Sequence, residues 1–242
     1  MTVNGIYVSG WQGTIDWEKA RSMVSFAFIK CFEREWVDAQ FRRNWAEAKR
    51  VGIQRGAYLF YRANVDAGLQ ARRMIEALSG DYGELPLVVD LEDEEYAAPW
   101  DAAQVSDLQW CLDILEKFSG RRPIIYTARW WADPYLPYAP WISSYDLWVA
   151  NYVDSPFGKP VMPAGWDAFA FWQWANNGIG SDYGVESKYV DLDVIGCGVA
   201  TLTTTVDTID TRDFEITITI QKRAKCPEVI TSTKSYLPGL QV

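Results

Sequence analysis

The stretch LPLVVDLEDEE, residues 85–95, begins as an apolar strand and ends with five acidic residues among its last six positions. Side chains alternate between the two faces of a strand, so Asp90 and Glu92 are predicted to project from the same side. Two carboxylates held that close raise at least one of their pKa values. The pattern predicts either a pair of catalytic carboxyl groups or, the commoner case for an isolated Asp-x-Glu, solvated acids at the end of a strand.

The sequence on both sides of this stretch alternates short β-rich runs with amphipathic runs, which is the pattern of βα units and a parallel sheet. Eight strands are predicted, near residues 6–10, 26–31, 56–61, 85–92, 123–129, 146–152, 169–176 and 189–196. Helical periodicity is clearest at residues 17–24, 38–52, 65–80 and 101–119. The helix signal is weak between the last four strands. We therefore expect an α/β fold, an irregular TIM-like (β/α) barrel with eight strands and about five helices.

The composition changes near residue 200, where a Thr-rich alternation begins that includes FEITITI at residues 214–220. This pattern is typical of a half-buried strand. We expect two regions, a barrel over residues 1–199 and a β-rich C-terminal appendage over residues 200–242. The appendage is too short for an independent core, so we expect it to bind a partner subunit or the barrel.

Charge and hydropathy exclude several classes of partner. The 242-residue chain has a net charge of -9 and a pI near 4.6, which disfavours nucleic acid and anionic membranes as partners. It has no run of about 18 apolar residues, so no membrane insertion is expected. No signal peptide is visible at the start of the sequence. The oligomeric state cannot be predicted from these features.

The chain contains no histidine, which limits the chemistry that it can perform. Ser-His-Asp and Cys-His mechanisms are excluded, and carboxylates, Tyr and Lys remain as acid and base groups. The four cysteines lie far apart in the sequence and form no metal-binding pattern. We expect a carboxylate enzyme with no metal and no cofactor.

Polar and aromatic residues occur near the ends of several predicted strands. In (β/α) barrels the residues at the carboxyl ends of the strands form the active site. We expect one rim to carry Lys30, Tyr61, Asp90, Glu92, Tyr126, Asn151, Tyr152, Gln173 and Trp174.

With these motifs assembled, the chain resembles the glycoside hydrolase family 25 lysozymes, which include phage endolysins and secreted bacterial and fungal muramidases. The resemblance covers residues 4–197, and its motifs follow the family's order. They are GIYVSGWQGTIDW (5–17), FAFIKCFE (26–33), NWAEAKRVGIQRGAYLFYR (44–62), LQARRMIEAL (69–78), LPLVVDLE (85–92), PIIYTARWW (123–131), DLWVANY (146–152), FAFWQWANNG (169–178) and YVDLDVIG (189–196).

The resemblance implies a peptidoglycan hydrolase that cleaves the β-1,4 bond between N-acetylmuramic acid and N-acetylglucosamine. It assigns the general acid to Glu92, a positioning or stabilising role to Asp90, and a further catalytic role to Asp191, for which Asp193 is a rival. The positions that match the family's substrate groove are Lys30, Glu33, Tyr58, Tyr126, Trp172 and Gln173. The implied partner is the glycan strand of the cell wall, reached outside the cell or by a phage-type release from the cytoplasm.

Three motifs depart from the family pattern. Tyr7 stands where the family has an Asp, Phe32-Glu33-Arg34 stands for Thr-Glu-Gly, and Tyr58-Leu59-Phe60 stands for Tyr-His-Phe. The loss of one carboxylate predicts a weak or narrowly specific muramidase with an acidic pH optimum. It also predicts that Tyr7→Asp raises activity and moves the optimum upward.

Two other functions remain open. A non-catalytic glycan-binding or phage structural protein would account for Tyr7, whereas the intact Asp90 and Glu92 pair opposes it. An unrelated barrel enzyme acting on small metabolites is weaker, because the sequence has no Gly-rich phosphate loop. Exposed tryptophans could stack on sugars, and the candidates are Trp11, Trp130, Trp131 and Trp174, although core packing accounts for most of the chain's 13.

Overall fold

The strands and helices are taken from a computed structural model, which describes residues 4–92, 99–136 and 139–196. The strands are β1 Asn4–Val8, β2 Phe26–Glu33, β3 Trp36–Val37, β4 Gln54–Phe60, β5 Val88–Leu91, β6 Ile124–Ala128, β7 Asp146–Ala150, β8 Phe171–Ile179 and β9 Tyr189–Ile195. The α-helices are α1 Trp17–Met23, α2 Phe41–Arg50, α3 Ala67–Leu78, α4 Ala102–Ser119 and α5 Arg129–Tyr135. The expected appendage, residues 200–242, lies outside the described residues and stays a prediction.

Eight strands close into a barrel in the order β1-β9-β8-β7-β6-β5-β4-β2, and β1 completes the ring by pairing with β2. β3 forms a short antiparallel hairpin with the end of β2. The α/β barrel of eight strands and about five helices is therefore confirmed. Its second half is also poor in helices as expected, because the short α5 is the one α-helix after β6 in the described part of the chain.

The last strand departs from the all-parallel pattern that the sequence indicated. β9 runs antiparallel to both β8 and β1, while the other barrel strands pair in parallel. The connection between β8 and β9, residues 180–188, is too short for a crossover helix and contains only a 3-10 turn. Short connections form antiparallel hairpins. The amino half of β9 consequently lies at the same rim as the carboxyl ends of the other seven strands.

Local signals account for where the helices begin and end. α4 begins with a capping box, since Asp101 accepts from the backbone of Gln104 and the Gln104 side chain accepts from the backbone of Asp101. Gly52 and Gly80 follow α2 and α3 with φ of 76 and 85 degrees, as the sequence predicted for helix ends. Within the described residues, none of the helices combines the length and the apolar character needed to cross a bilayer.

Apolar side chains form two layers, one between strands and helices and one inside the barrel. Inside, Phe28 of β2 stacks on Trp148 of β7 with ring centroids 4.1 Å apart, although these strands are not neighbours. Gly5 makes room for Phe26, because a Cβ atom at Gly5 would lie 2.2 Å from that ring. These buried rings fill the barrel interior below the rim that carries Asp90 and Glu92.

Candidate active site

The acidic pair lies at the carboxyl end of β5, on the side that faces the barrel interior. Asp90 is fully buried, while Glu92 is partly exposed at the rim. Burial, and next the charge of Glu92, raise the pKa of Asp90 well above its ordinary value. The structure thus brings the two carboxyl groups together, one below the surface and one accessible to a ligand.

Tyr7 on β1 contacts this pair directly. Its hydroxyl donates to Oδ2 of Asp90 over 3.0 Å. Its ring stacks on Tyr58, with centroids 4.4 Å apart, and on Tyr126 at 5.9 Å. Oδ1 of Asp90 is buried and has no hydrogen-bond partner among the described residues. Tyr7 therefore supplies a hydrogen-bond donor to the buried carboxyl group of the pair.

A second chain of hydrogen bonds connects the other side of the rim. The amide oxygen of Gln173 accepts from Tyr126 over 2.8 Å and from Tyr152 over 3.0 Å. The hydroxyl of Tyr126 also lies 3.4 Å from Oε2 of Glu92. Gln173 and Tyr126 are both buried. The network joins β6, β7 and β8 to Glu92.

Charged side chains at the ends of β2 and β4 form an ion-pair network. Glu33 accepts from Lys30 and from Arg62, whose Nη2 lies 2.6 Å from the Glu33 carboxylate. Lys30 and Arg62 also lie over the ring of Phe60, at 4.9 and 4.6 Å from its centroid. Burial works to raise the pKa of Glu33, but the hydrogen bonds from both cations hold it below its ordinary value. Glu33 is an anion fixed between two cations.

The two aspartates of β9 occupy different depths. The Cα of Asp191 pairs with that of Tyr7, and the Asp191 side chain is partly exposed at the rim. Burial raises the pKa of Asp191 to about 6. Asp193 is buried lower in the barrel, where its Oδ1 accepts from Nε1 of Trp148 over 2.9 Å. Of the two candidates, Asp191 is the one that a ligand at the rim can reach.

Three aromatic residues expected at the rim lie elsewhere. Trp172 neighbours Gln173 but lies on the opposite face of β8, where it is buried in the layer under the helices and donates to the backbone of Asn151. Tyr61 and Trp131 are buried in that same outer layer. Alternation along a strand sends consecutive residues to opposite faces, so Gln173 and Trp172 cannot both face the barrel interior.

Several aromatic rings are exposed at the surface of the barrel. The least buried are Trp11, Trp36, Trp130 and Phe157, which are 86, 72, 56 and 86% exposed. Trp130 borders a cleft of about 400 Å³ that Asn151 also lines, beyond the carboxyl ends of β6 and β7. Trp174 is partly buried against the outer core. Trp11 and Trp130 are thus the two members of the predicted tryptophan set that present open faces.

No group of three or more carboxylate or cysteine side chains that could hold a metal ion occurs within residues 4–92, 99–136 and 139–196.

The sequence profile described as glycosyl hydrolases family 25 matches residues 6–183. The chain belongs to this family. It is 31% identical to Lysozyme M1 of Streptomyces globisporus and 35% identical to the uncharacterized protein YegX of Escherichia coli, in each case over 73% of this chain. These matches span 63% of Lysozyme M1 and 64% of YegX, so the chain covers less than two thirds of these relatives.

Solved structures of family 25 show the same fold. A family 25 glycosyl hydrolase from Bacillus anthracis aligns with a TM-score of 0.66 and 29% identity, over 80% of this chain and 88% of the other. The bacterial lysozyme from Streptomyces coelicolor aligns with a TM-score of 0.67 and 28% identity, over 81% and 92% of the two chains. The predicted resemblance to family 25 is therefore confirmed.

The family match covers part of the candidate site. The profile match includes Asp90, Glu92 and Gln173 but ends before β9 and Asp191. Arg34 has a φ of 55 degrees, in the left-handed region that favours the glycine expected there from the resemblance.

Sequence reasoning missed one contributor to the site. Arg62, two residues after the end of β4, binds Glu33, whereas Tyr152, which was expected at the rim, binds Gln173. Arg62 lies close to a strand end, so its position in the sequence was a usable signal. It could not show which side-chain atoms would meet, because that depends on strand register.

Proposed function

We propose that this family 25 chain hydrolyses the glycan strands of peptidoglycan, at the β-1,4 bond between N-acetylmuramic acid and N-acetylglucosamine. The observation that carries the proposal is the Asp90 and Glu92 pair, buried and accessible respectively, at the open rim of a barrel with this family's fold. Similarity to Lysozyme M1 supports the choice of substrate. The reaction takes place at the cell wall, reached outside the cell or after a phage-type release.

Glu92 is the general acid in this proposal. Glycosidic cleavage needs a proton delivered to the leaving oxygen, and Glu92 is the member of the pair that a sugar at the rim can touch. Asp90 has a positioning role below the rim. Its buried Oδ1 has no partner among the described residues, and a buried oxygen without a donor is costly.

Asp191 provides negative charge on the other side of the opening. Its pKa of about 6 leaves it ionised in neutral solution, where it can stabilise an oxocarbenium-like transition state. Lys30, Glu33, Tyr58, Tyr126 and Gln173 form the floor of the groove, and Tyr152 extends it. Trp172 lies behind the groove in the outer layer, where its Nε1 donates to the backbone oxygen of Asn151 and holds that residue in place.

The deciding experiment compares the wild-type chain with Glu92→Gln and with the control Glu76→Gln, an exposed Glu that pairs with Arg73. Release of new reducing ends from purified peptidoglycan is the readout. Glu92→Gln is expected to lower the rate by at least about 100-fold, since general acid catalysis is typically worth that much. Glu76→Gln should leave the rate unchanged. If the Glu92→Gln variant retained a near wild-type rate, the assignment of Glu92 as the general acid would be wrong.

A non-catalytic glycan-binding protein is the second candidate, and Tyr7 in place of the family's Asp is the observation that favours it. The same experiment separates the two functions. A wild-type chain that sediments with peptidoglycan but releases no reducing ends would support the binding protein. Release that depends on Glu92 would exclude it.

A further inference from the structure

We propose that Tyr7 shifts the proton shared by the acidic pair from Asp90 toward Glu92, because its hydroxyl donates to the buried Asp90 and favours the anion of that group. The catalytic consequence rests on the proposed function, because only a glycosidase needs Glu92 as an acid. Tyr7 is in this sense a positioning residue, which acts on the substrate through Asp90.

The first support is the direction of the hydrogen bond. Two carboxyl groups in one site cannot both ionise freely, so they share a proton over a range of pH. A donor on one group stabilises that group's anion and moves the proton to the other. Tyr7 donates to Oδ2 of Asp90 over 3.0 Å. Burial, and next the charge of Asp90, raise the pKa of Tyr7 well above its ordinary value, so Tyr7 keeps the proton that it donates.

The second support is the set of groups that surround Asp90. Burial opposes the ionisation of Asp90 most strongly, and the charge of Glu92 on the same strand is next. Glu33 on β2 also opposes it, whereas the Tyr7 hydrogen bond and Lys30 on β2 favour it. Lys30 is ion-paired with Glu33, so its charge is largely compensated. Tyr58 on β4 and Tyr126 on β6 face the same space as neutral phenols whose pKa values burial raises. Of the two neighbours that favour the anion, Tyr7 has the larger effect, because it donates to Asp90 directly.

The third support is the rigidity of the Tyr7 ring. It stacks on Tyr58 at 4.4 Å and on Tyr126 at 5.9 Å, and it meets the edge of Trp148 at 5.6 Å. Packing on three sides fixes the hydroxyl, and through it Oδ2 of Asp90. Oδ1 is the oxygen of Asp90 that has no hydrogen-bond donor among the described residues.

A carboxyl titration tests the proton placement without using turnover. The full chain is labelled with ¹³C at the aspartate carboxyl groups, and the Asp90 signal is assigned by its absence in Asp90→Asn. In Tyr7→Phe the ring remains and the donor is lost, so the Asp90 midpoint should rise by about one pH unit, the range expected for a hydrogen bond to a charged group. Tyr61→Phe, which removes a buried hydroxyl from the outer layer, is the control and should leave the midpoint in place. An unchanged midpoint in Tyr7→Phe overturns the proposal.

Kinetics test the consequence for catalysis. Tyr7→Phe should lower kcat by roughly 10-fold or more with little change in KM, and the acid limb of the pH–rate profile should move to higher pH because Asp90 ionises later. Tyr7→Asp removes the donor and adds a carboxyl group, so it should also lower kcat. An equal loss at every pH with an unmoved acid limb would indicate a structural role and overturn the proposal. If the wild-type chain releases no sugar, the proposed function fails, and the titration alone decides the role of Tyr7.

Discussion

The role assigned to Tyr7 from the sequence differs from the one that its contacts in the structure indicate. In the sequence it is a missing carboxylate, and from that loss we expected Tyr7→Asp to raise activity. In the structure it is a donor to Asp90 and a ring packed between Tyr58 and Tyr126. An Asp at this position would leave a cavity and a third carboxyl group without a donor, which reverses the expected effect of the substitution.

Asp193 is the residue whose removal should stabilise the fold. It is fully buried, burial raises its pKa well above the ordinary value, and its Oδ2 has no partner among the described residues. A raised pKa means that stability is present at low pH and is lost as pH rises toward the folded-state value. Asp193→Asn keeps an oxygen for Nε1 of Trp148 and removes the charge.

The free energy of unfolding, measured by urea titration of both proteins, should therefore shift in favour of Asp193→Asn as pH rises. Its advantage over wild type should be at least about 1 kcal/mol larger at pH 7 than at pH 4.5, since one pKa unit corresponds to about 1.4 kcal/mol. Wild type is the matched reference, because both proteins retain Asp90 and Asp191. Parallel pH dependences of the two proteins would show that Asp193 ionises no later in the folded state than in the unfolded state.

Among the elements, β1 and β2 show how a glycine and an aromatic ring are fitted together. A Cβ atom at Gly5 would lie 2.2 Å from the Phe26 ring, inside the barrel. We expect Gly5→Ala to lower the free energy of unfolding by about 1–3 kcal/mol, the usual cost of overpacking. Phe26→Leu should recover part of that loss in the double variant, because the smaller side chain vacates the space.

A double-mutant cycle in urea checks this pairing. Additive effects of Gly5→Ala and Phe26→Leu would show that the two positions do not compete for the same space. The cycle concerns the lower interior of the barrel, so the rim residues are unchanged in all four proteins.

At the scale of the whole molecule, the described barrel contains every residue placed in the proposed site. All eight barrel strands end by Ile195. We expect a chain ending at Gly196 to retain Glu92-dependent release of reducing ends from peptidoglycan, and to differ from the full chain in solubility or oligomeric state. Size-exclusion chromatography and the reducing-end assay measure the two properties. A folded monomer without turnover would show that residues 197–242 take part in catalysis.

Much of the fold follows from local patterns in the chain. The eight barrel strands, the capping box at Asp101 and the helix ends near Gly52 and Gly80 depend on periodicity and on residues within one turn. The direction of β9 does not follow from such local patterns. Its amphipathic pattern is the same in either direction, and the short hairpin from β8 determines the outcome.

The same division holds for the candidate site. The sequence by itself determined that Asp90 and Glu92 share a face and that the polar residues of the rim come from separate strands, because alternation and strand ends are local properties. Only the tertiary structure decided that Tyr7 bonds Asp90, that Asp191 lies at the rim above Asp193, and which of the neighbours Trp172 and Gln173 faces the barrel interior. These contacts join residues as many as 83 positions apart in the chain. They depend on register and barrel closure, which no short stretch of sequence specifies.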